Sequence, residues 1–285
     1  MQGGHADCVL VQSGENISMA VAPEPSKAKI AKRVIEVLEC FGEDNQNVTV
    51  MDIVNRYGRP QSSTSELLAA LVEMGLLYKD ARSRSYFPTP RLAGLGISAQ
   101  PEIIRNGHLF SFMDRLARTT GYSAALFGMN KTHSQIFHLV PGPTSVFHDI
   151  SYGACEQLTG SVAGLLLLST LPLEQANGLL WRLNAEAFPE DKFDFAKTRE
   201  YVSVLRRQGY VMGNVGFGSS LQMAATLLPA KMTKRPLVLG LMYPADAKVN
   251  ATALMATLKR DLTQYVARMK TDYPERATAP LRMVV

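Results

Sequence analysis

The sequence has few features of a secreted, membrane-bound or disulfide-stapled protein. It contains only 3 cysteines, Cys8, Cys40 and Cys155, at separations that match no metal-binding motif, so a disulfide framework is not expected. No basic start followed by an apolar run marks a signal peptide. The longest apolar run, around residues 162–168, is too short to span a bilayer. These absences predict a cytoplasmic protein with no membrane partner.

Catalytic motifs are missing as well. No G-x-S-x-G nucleophile elbow occurs, and Cys155 has no base suggested near it in the sequence. The glycine-rich stretch 213–218 precedes a predicted strand rather than a helix, which argues against a dinucleotide site. This stretch is either a plain flexible loop or a lid over a pocket. We therefore expect neither an enzyme nor a bound cofactor.

The histidines give little support to a metal site. His133 and His138 are five residues apart on a predicted strand, and simple alternation puts them on opposite faces. His138, His148 and Cys155 have suitable chemistry for zinc, but nothing in their spacing requires them to converge. No metal is expected.

The distribution of charge limits what the net charge can explain. The formal charge is +5 and the isoelectric point is about 9.1. Residues 1–90 hold 9 Lys and Arg against 11 Asp and Glu, which leaves 21 against 14 in residues 91–285. The positive excess therefore lies outside the N-terminal third, and DNA binding has to be argued from local positions.

The most informative stretch of the sequence is residues 48–87. Its first part is a short amphipathic segment that ends at Gly58, as expected of a glycine after a helix. Pro60 opens a second helix, which has apolar residues at helical spacing behind a short, polar first turn. A hairpin with two arginines near its tip follows. This order predicts a winged helix-turn-helix whose second helix enters a DNA major groove.

The predicted DNA contacts are the polar first turn of that second helix and the arginines around it. Polar side chains there can hydrogen-bond to base edges, while arginines hold phosphates. The alternative is an ordinary solvated helix start, where Ser and Thr serve as caps. The predicted set is Arg59, Gln61, Ser62, Ser63, Thr64, Ser65, Arg82 and Arg84.

The same block resembles the IclR family of bacterial transcription regulators, and the resemblance covers most of the chain past residue 27. Two positions depart from the family pattern, because a basic residue is usual where Gln61 and Glu66 stand. The resemblance implies double-stranded DNA with a pseudo-palindromic operator, a homodimer or homotetramer, and a small organic effector. The shared pattern comprises Thr49, Asp52-Ile53, Gly58, Pro60, Ser62-Ser63, Leu67-Leu68, Leu71, Gly75-Leu76, Tyr86, Pro90-Arg91-Leu92 and Leu95-Gly96.

The expected fold class is α+β. Strand-like segments alternate with helices after residue 121, which indicates a central antiparallel sheet, and the resemblance makes this domain GAF-like. The linker helix predicted at 102–119 is apolar on two sides, so we expect a second chain to cover part of it. The expected organisation is a disordered tail (1–26), a winged helix-turn-helix domain (27–92), a connector and linker helix (93–120), an effector-binding and oligomerisation domain (121–275) and a tail (276–285).

The resemblance places an effector pocket where the loop before a strongly apolar helix, 160–170, meets the strands. Polar anchors that recur in the family are replaced here by Leu165, Gln222 and Met223. The pocket is therefore expected to be mostly apolar and to suit an aromatic or weakly polar ligand. The alternative is that these residues fill a collapsed core. The expected lining is Phe127, Met129, Phe137, Phe147, Tyr152, Ser161, Gly164, Gln222 and Met223.

Several functions remain open from the sequence. The leading one is a ligand-responsive repressor of a catabolic operon, and an activator of the same type is the first alternative. A DNA-bound protein whose sensor domain needs no ligand is the second. A metabolite enzyme with a DNA-binding domain is least favoured, because the sequence supplies no convergent acid, base or nucleophile.

Overall fold

The structure is a computed structural model that describes residues 26–42, 45–143 and 150–272. Most of both predicted tails, as well as Phe147 and His148, lies outside the described residues. The described chain divides into two compact units, residues 26–100 and residues 101–272. None of the helices in the described part is long and apolar enough to cross a membrane.

The first unit is a small helical domain with a two-stranded hairpin. Val48 forms an isolated bridge to Tyr86, which adds a third chain segment beside the hairpin. The elements are α1 (Ser26–Leu38), α2 (Val50–Tyr57), α3 (Gln61–Glu73), β1 (Leu77–Lys79), β2 (Tyr86–Pro88), α4 (Pro90–Gly94) and a 3-10 helix (Ile97–Ala99).

Local signals in the sequence account for the helix ends in this unit. Thr49 and Asp52 form a capping box at the start of α2, and Gly58 closes the helix in the left-handed conformation, with a φ of 61°. The three helices and the hairpin share one core. Its fully or nearly fully buried members include Val37, Ile53 and Leu68. This arrangement is the predicted winged helix-turn-helix.

The second unit is a six-stranded antiparallel sheet covered by helices. The strand order is β5-β4-β3-β8-β7-β6. The strands are β3 (Ser123–Asn130), β4 (His133–Val140), β5 (Cys155–Gln157), β6 (Tyr210–Asn214), β7 (Leu221–Leu227) and β8 (Leu237–Pro244). The helices are α5 (Glu102–Arg105), α6 (His108–Thr120), α7 (Val162–Leu168), α8 (Leu173–Glu186), a 3-10 helix (Pro189–Asp191), α9 (Phe195–Gln208) and α10 (Ala251–Asp272).

Both faces of this sheet are buried. One face packs against α7, α8 and α9, and the other packs against α6 and α10. A central strand such as β8 is therefore apolar without alternation, and its first seven residues are all buried. The fold is α+β with a central antiparallel sheet, as predicted from the sequence.

The predicted linker helix differs from the structure in two ways. Gly107, with a φ of 70°, separates the segment into α5 and α6. The apolar side of α6, including Leu109, Phe112 and Met113, is at most 1% exposed because the sheet and α10 of the same chain cover it. The apolar surface of α6 is therefore buried within one chain. It no longer supports the expectation that a second chain covers this helix.

A β-bulge changes the side-chain alternation in β4. Phe137 is the extra residue between Ile136 and His138. The bulge shifts the alternation by one position, so Ile136 and Leu139, three residues apart, lie in the same core. His133 and His138 consequently lie on the same face, and the prediction of opposite faces is wrong.

One predicted strand is also misplaced. The sequence of residues 145–152 predicts a strand, and residues 144–149 lie outside the described part. Residues 150–154 are not in a strand, and pairing with β4 begins only at Cys155.

Candidate DNA interface and effector site

The first turn of α3 presents only part of the predicted polar set to solvent. Gln61 and Ser62 are exposed, whereas Ser63 and Ser65 are half-buried. Thr64 is 0% exposed, and its hydroxyl donates to the Pro60 carbonyl at 2.9 Å. Thr64 therefore belongs to the core side of α3, and its predicted contact with bases is wrong.

Arg59 has a structural partner within the unit. Its Nη2 lies 2.6 Å from Glu36 Oε1 and its Nε lies 3.2 Å from Glu36 Oε2, so the pair is bidentate. The Glu36 side chain is only 13% exposed. This geometry ties the α2–α3 turn to α1, a role that differs from the phosphate contact predicted for Arg59.

A second contact from α1 reaches the same turn. Arg33 Nη2 donates to Ser63 Oγ at 3.0 Å, and Ser63 Oγ donates to the Pro60 carbonyl at 3.2 Å. Arg33 lies three residues before Glu36, so both face the turn from one side of α1. Neither residue was predicted from the sequence. Their charged side chains beside the apolar side of α1 could have indicated a contact with the next helices.

The exposed side of α3 beyond its first turn carries no positive charge. Its exposed residues include Glu66, Ala69, Ala70 and Glu73, and α3 contains no Lys or Arg. The acidic side chains would repel phosphates. The favourable potential of this helix is therefore confined to its N-terminal end, where backbone N–H groups point outward.

The tip of the hairpin is organised by one carboxylate. Asp80 accepts hydrogen bonds from the backbone N–H groups of Arg82 at 2.8 Å and Ser83 at 2.7 Å. The backbone hydrogen bond from Ser83 is the main cause that lowers the pKa of Asp80. Arg84 adopts a φ of 58°, and both arginines are exposed. The tip therefore presents two guanidinium groups from a defined turn, where the sequence predicted them.

The predicted effector residues divide between the two faces of the large sheet. Phe127, Met129 and Met223 belong to the core on the α7 side. Gln222 neighbours Met223 in β7 and so points to the opposite face. Phe137 is the bulge residue, 48% exposed, and its ring lies over Gly128. The predicted lining is therefore not one continuous wall.

Ser161 and Gly164 are packed into the start of α7. The Ser161 hydroxyl caps this helix by accepting the Gly164 N–H at 3.0 Å, and it lies 3.0 Å from the hydroxyl of Ser134. Ser161 is 3% exposed. A Cβ on Gly164 would lie 2.3 Å from the Leu158 carbonyl oxygen. Ser161 is thus explained by capping α7, and Gly164 by its close packing against the Leu158 backbone.

The glycine-rich stretch is a defined loop in the structure. The Phe217 N–H donates to Glu156 Oε2 at 2.9 Å, which fastens the loop to β5. The Phe217 ring lies 6.1 Å from the Phe127 ring. The loop therefore covers the α7 side of the sheet beside Phe127.

Tyr152, another residue of the predicted effector lining, is half exposed. Its hydroxyl donates a hydrogen bond to the Leu139 carbonyl.

An open cavity lies between α7 and α9. Its volume is about 260 Å³, and its walls include the apolar Leu165 and Phe193 and the polar ends of Lys197 and Tyr201. Burial raises the pKa of the Tyr201 hydroxyl. Two threonines, Thr159 and Thr198, complete the wall. Of the positions discussed from the sequence, only Leu165 lines this cavity.

The structure gives no support to the two roles considered for Cys155, a nucleophile and a zinc ligand. Cys155 is 6% exposed at the start of β5, so its sulfur is not open to a substrate or to a metal ion. Among the described residues, no group of three or more His, Cys, Asp or Glu side chains is placed to hold a metal ion.

Comparison with known proteins agrees with the winged helix-turn-helix geometry. Residues 31–81 match the IclR helix-turn-helix domain. This match identifies the N-terminal unit as an IclR-type helix-turn-helix domain, and the chain as a whole is similar to IclR-type transcriptional regulators. The HTH-type transcriptional regulator TsaQ1/TsaQ2 of Comamonas testosteroni is 21% identical over 255 residues, which cover 88% of this chain and 90% of that protein.

Solved IclR structures share the fold. An IclR homolog from Microbacterium hydrocarbonoxydans, complexed with 4-hydroxybenzoate, is 18% identical with a TM-score of 0.57, and the match covers 85% of this chain and 99% of that one. The IclR protein of Thermotoga maritima is 14% identical with a TM-score of 0.57, covering 87% of this chain and 100% of that one. At these identities the likeness concerns the IclR fold alone.

Proposed function

We propose that this protein is a ligand-responsive regulator that binds a pseudo-palindromic operator as a homodimer or homotetramer in the cytoplasm. The observation that carries the proposal is the joint exposure of Gln61 and Ser62 at the start of α3 and of Arg82 and Arg84 on the hairpin tip. The first pair can hydrogen-bond to base edges, and the second pair can hold phosphates. Repression of a catabolic operon is the proposed mode, as in most of the family.

Base contact is restricted to the first turn of α3 in this proposal. Gln61 reads adenine best among the bases, because its amide can donate and accept at the same base edge. Ser62 and Ser65 are short, so their hydroxyls serve bases or phosphates close to the helix end. Thr64 is left out because it is buried, and Glu66 and Glu73 are kept away from phosphates by their charge.

The test of DNA binding removes both hairpin arginines. Arg82→Ala/Arg84→Ala should weaken binding to all sequences and reduce the slope of log K against log salt by up to about two units, since each lost phosphate contact removes about 0.9. The matched control is Lys234→Ala/Arg235→Ala, which removes two exposed basic side chains from the β7–β8 turn in the other unit. Equal salt slopes for the parent and the Arg82/Arg84 variant would reject the interface.

We also propose that the effector is a small aromatic or weakly polar metabolite that binds on the α7 side of the sheet. The cavity between α7 and α9 supports this, because Phe193 and Leu165 offer apolar contact while Lys197 and Tyr201 offer one charged and one neutral polar group. Its volume of about 260 Å³ suits a single-ring molecule. The 4-hydroxybenzoate in the Microbacterium homolog is a molecule of that size and character.

A panel of single-ring acids, phenols and lactones tests the effector site by thermal shift and by operator release. Lys197→Met should weaken the binding of acids more than that of neutral ligands. Tyr201→Phe should weaken the binding of ligands that hydrogen-bond to the Tyr201 hydroxyl. Lys192→Met, another exposed lysine that lies outside the cavity wall, is the control. If a ligand that releases the operator binds the parent, Lys197→Met and Tyr201→Phe with equal affinity, the effector site is not this cavity.

One observation favours a ligand-independent sensor as the second candidate. Phe127 and Met223 are both 0% exposed, and the Ser161 hydroxyl already has two partners. The interior beside α7 is thus filled by side chains. If the sensor domain needs no ligand, no member of the panel should shift the unfolding temperature or change operator affinity, and DNA binding should stay intact.

A further inference from the structure

One end of the large sheet carries a cluster of positive charge. Residues 201–245 contain five basic side chains and no Asp or Glu. All five are exposed, and none forms an ion pair within the part of the chain that the structure describes. We define the basic end as Arg206, Arg207, Lys231, Lys234 and Arg235.

The five side chains come together because the end of α9 lies beside the end of β7. The Gly209 carbonyl, directly after α9, accepts the Leu227 N–H at 3.1 Å and the Thr226 hydroxyl at 3.2 Å. Arg206 and Arg207 occupy the last turn of α9. The other three cations belong to the β7–β8 turn, so both groups lie at the same end of the sheet.

The β7–β8 turn has a defined shape that leaves its basic residues outside. The Leu228 N–H donates to the Leu237 carbonyl at 2.9 Å and closes the turn, and the Met232 N–H donates to the Pro229 carbonyl at 2.9 Å. Met232 packs against the core on the α6 and α10 side of the sheet. The hydroxyl oxygen of Thr233 is also buried. The turn therefore presents only its three cations and small neighbours to solvent.

Helix electrostatics explains only two of these charges. Arg206 and Arg207 are favoured at the negative C-terminal end of α9. The three cations of the turn have no helix end and no carboxylate beside them in the sequence, so they repel one another and the two arginines. Positive charge left unbalanced in this way attracts polyanions.

Duplex DNA fits the basic end better than an acidic protein does. Interfaces between proteins centre on large apolar or aromatic anchors, and Met232 of the turn packs inward. Phosphate binding needs only accessible cations. The winged unit has few of them to offer, since α3 contains no Lys or Arg and Arg59 is paired with Glu36. DNA held by the winged unit is also at a high local concentration for any surface of the same chain.

We propose that the basic end binds phosphates of duplex DNA that flanks the operator. The winged unit holds the phosphates of its own half-site through Arg82 and Arg84, and the basic end meets the duplex beyond them. This contact reads no base sequence, and it adds affinity that depends on salt. It rests on the proposed function, because it needs a protein that is already bound to DNA. It also gives a role to the positive excess outside the N-terminal third.

The test compares two duplexes that contain the same operator. One ends at the footprint of the parent protein, and the other is extended by about 20 bp, or two helical turns, on each side. The full chain is used throughout. The turn variant, Lys231→Ala/Lys234→Ala/Arg235→Ala, removes three exposed cations whose side chains support no other contact in the described residues.

A matched control removes the same amount of charge elsewhere in the C-terminal unit. Arg118→Ala/Lys192→Ala/Lys248→Ala takes away three exposed cations that lie outside the basic end. Its net charge equals that of the turn variant. Unfolding temperatures equal to that of the parent show that both variants are folded.

The dependence of affinity on salt gives the expected result. On the extended duplex the turn variant should lose up to about 2.7 units per chain from the slope of log K against log salt, since each lost phosphate contact removes about 0.9. The matched control should keep the parent's slope. On the short duplex the turn variant should also keep it, so Lys234→Ala/Arg235→Ala remains a valid control there for the hairpin arginines. Lys231→Arg/Lys234→Arg should bind the extended duplex like the parent, because charge is what the contact requires.

The results that would overturn the inference remain distinguishable. A parent that binds no DNA removes the proposed function and the flanking contact together. A parent that binds the operator but gains neither affinity nor slope from the flanks leaves the regulator standing and removes the contact. Equal slopes for the turn variant and the matched control on the extended duplex do the same, and leave the basic end to an acidic protein or to solvent. Loss of slope on both duplexes would place the cations at the operator itself and reject the flanking contact.

Discussion

Arg59 and Glu36 form a bidentate ion pair that joins the α2–α3 turn to α1. The two hydrogen bonds measure 2.6 Å and 3.2 Å, and the side chains are 36% and 13% exposed. The planar guanidinium matches the carboxylate fork, which gives orientation as well as attraction. The pair therefore fixes the direction in which α3 leaves the turn.

Arg59→Ala should act on DNA binding through position rather than through charge. We expect the N-terminal unit to lose about 1–2 kcal/mol of unfolding free energy, between the values of an exposed pair and a charged hydrogen bond. Operator affinity should fall while the salt slope stays close to that of the parent. Glu36→Gln should reproduce much of both effects, and a full unit lost from the salt slope in Arg59→Ala alone would restore the phosphate role.

Thr64 and Gln61 are expected to separate stability from base recognition. Thr64→Val keeps the volume but removes the hydroxyl that donates to the Pro60 carbonyl, so unfolding should become easier by about 1 kcal/mol. Its preference among operator sequences should not change. Gln61→Ala removes an exposed amide and should change preference with little effect on stability. Binding of an operator library to both variants tests the contrast.

The winged unit could be predicted from the sequence because its signals are local. Gly58, Pro60 and the capping pair Thr49 and Asp52 act within one or two turns. The large sheet was predictable as a type but not in its details. The bulge at Phe137 depends on pairing with β3, and it alone reverses the relation between two histidines.

The effector lining was harder to predict because it depends on which face of a strand each residue occupies. Because both faces of the sheet are buried, the apolar residues of β7 do not alternate with polar ones. The sequence therefore does not indicate whether Gln222 or Met223 faces α7. The apolar residues of α6 were misleading for the same reason, since helix–sheet and helix–helix burial inside one chain resembles a dimer surface.

Ser161→Ala is expected to affect folding before it affects a ligand. It removes the cap of α7 and leaves the buried hydroxyl of Ser134 with only its longer bond to the Glu156 carbonyl, at 3.4 Å, so the C-terminal unit should lose about 1 kcal/mol. Ser134→Ala and the double variant complete a cycle, and a coupling of about 0.5 kcal/mol or more is expected for groups in direct contact. Chemical denaturation without ligand measures all four proteins. Additive losses would mean that the two hydroxyls do not support each other.

His138 should make the stability of the C-terminal unit depend on pH. Its ring lies 4.2 Å from Phe110 and 5.9 Å from Tyr152, and burial lowers its pKa below the usual 6.5, while the nearby Asp114 carboxylate opposes that shift. The folded state therefore favours neutral histidine, and the unfolded state binds more protons as pH falls through 6.5.

Stability from this residue is thus fully present above pH 6.5 and declines as the pH falls below it. Unfolding temperatures measured from about pH 7.5 to about pH 5 should fall less steeply in His138→Phe, which keeps a ring but cannot be charged. Asp114→Asn should steepen the decline, because it removes the group that favours the charged form. His133→Phe is the control for another histidine of the same strand. Identical pH profiles for the parent and His138→Phe would exclude this residue as the source.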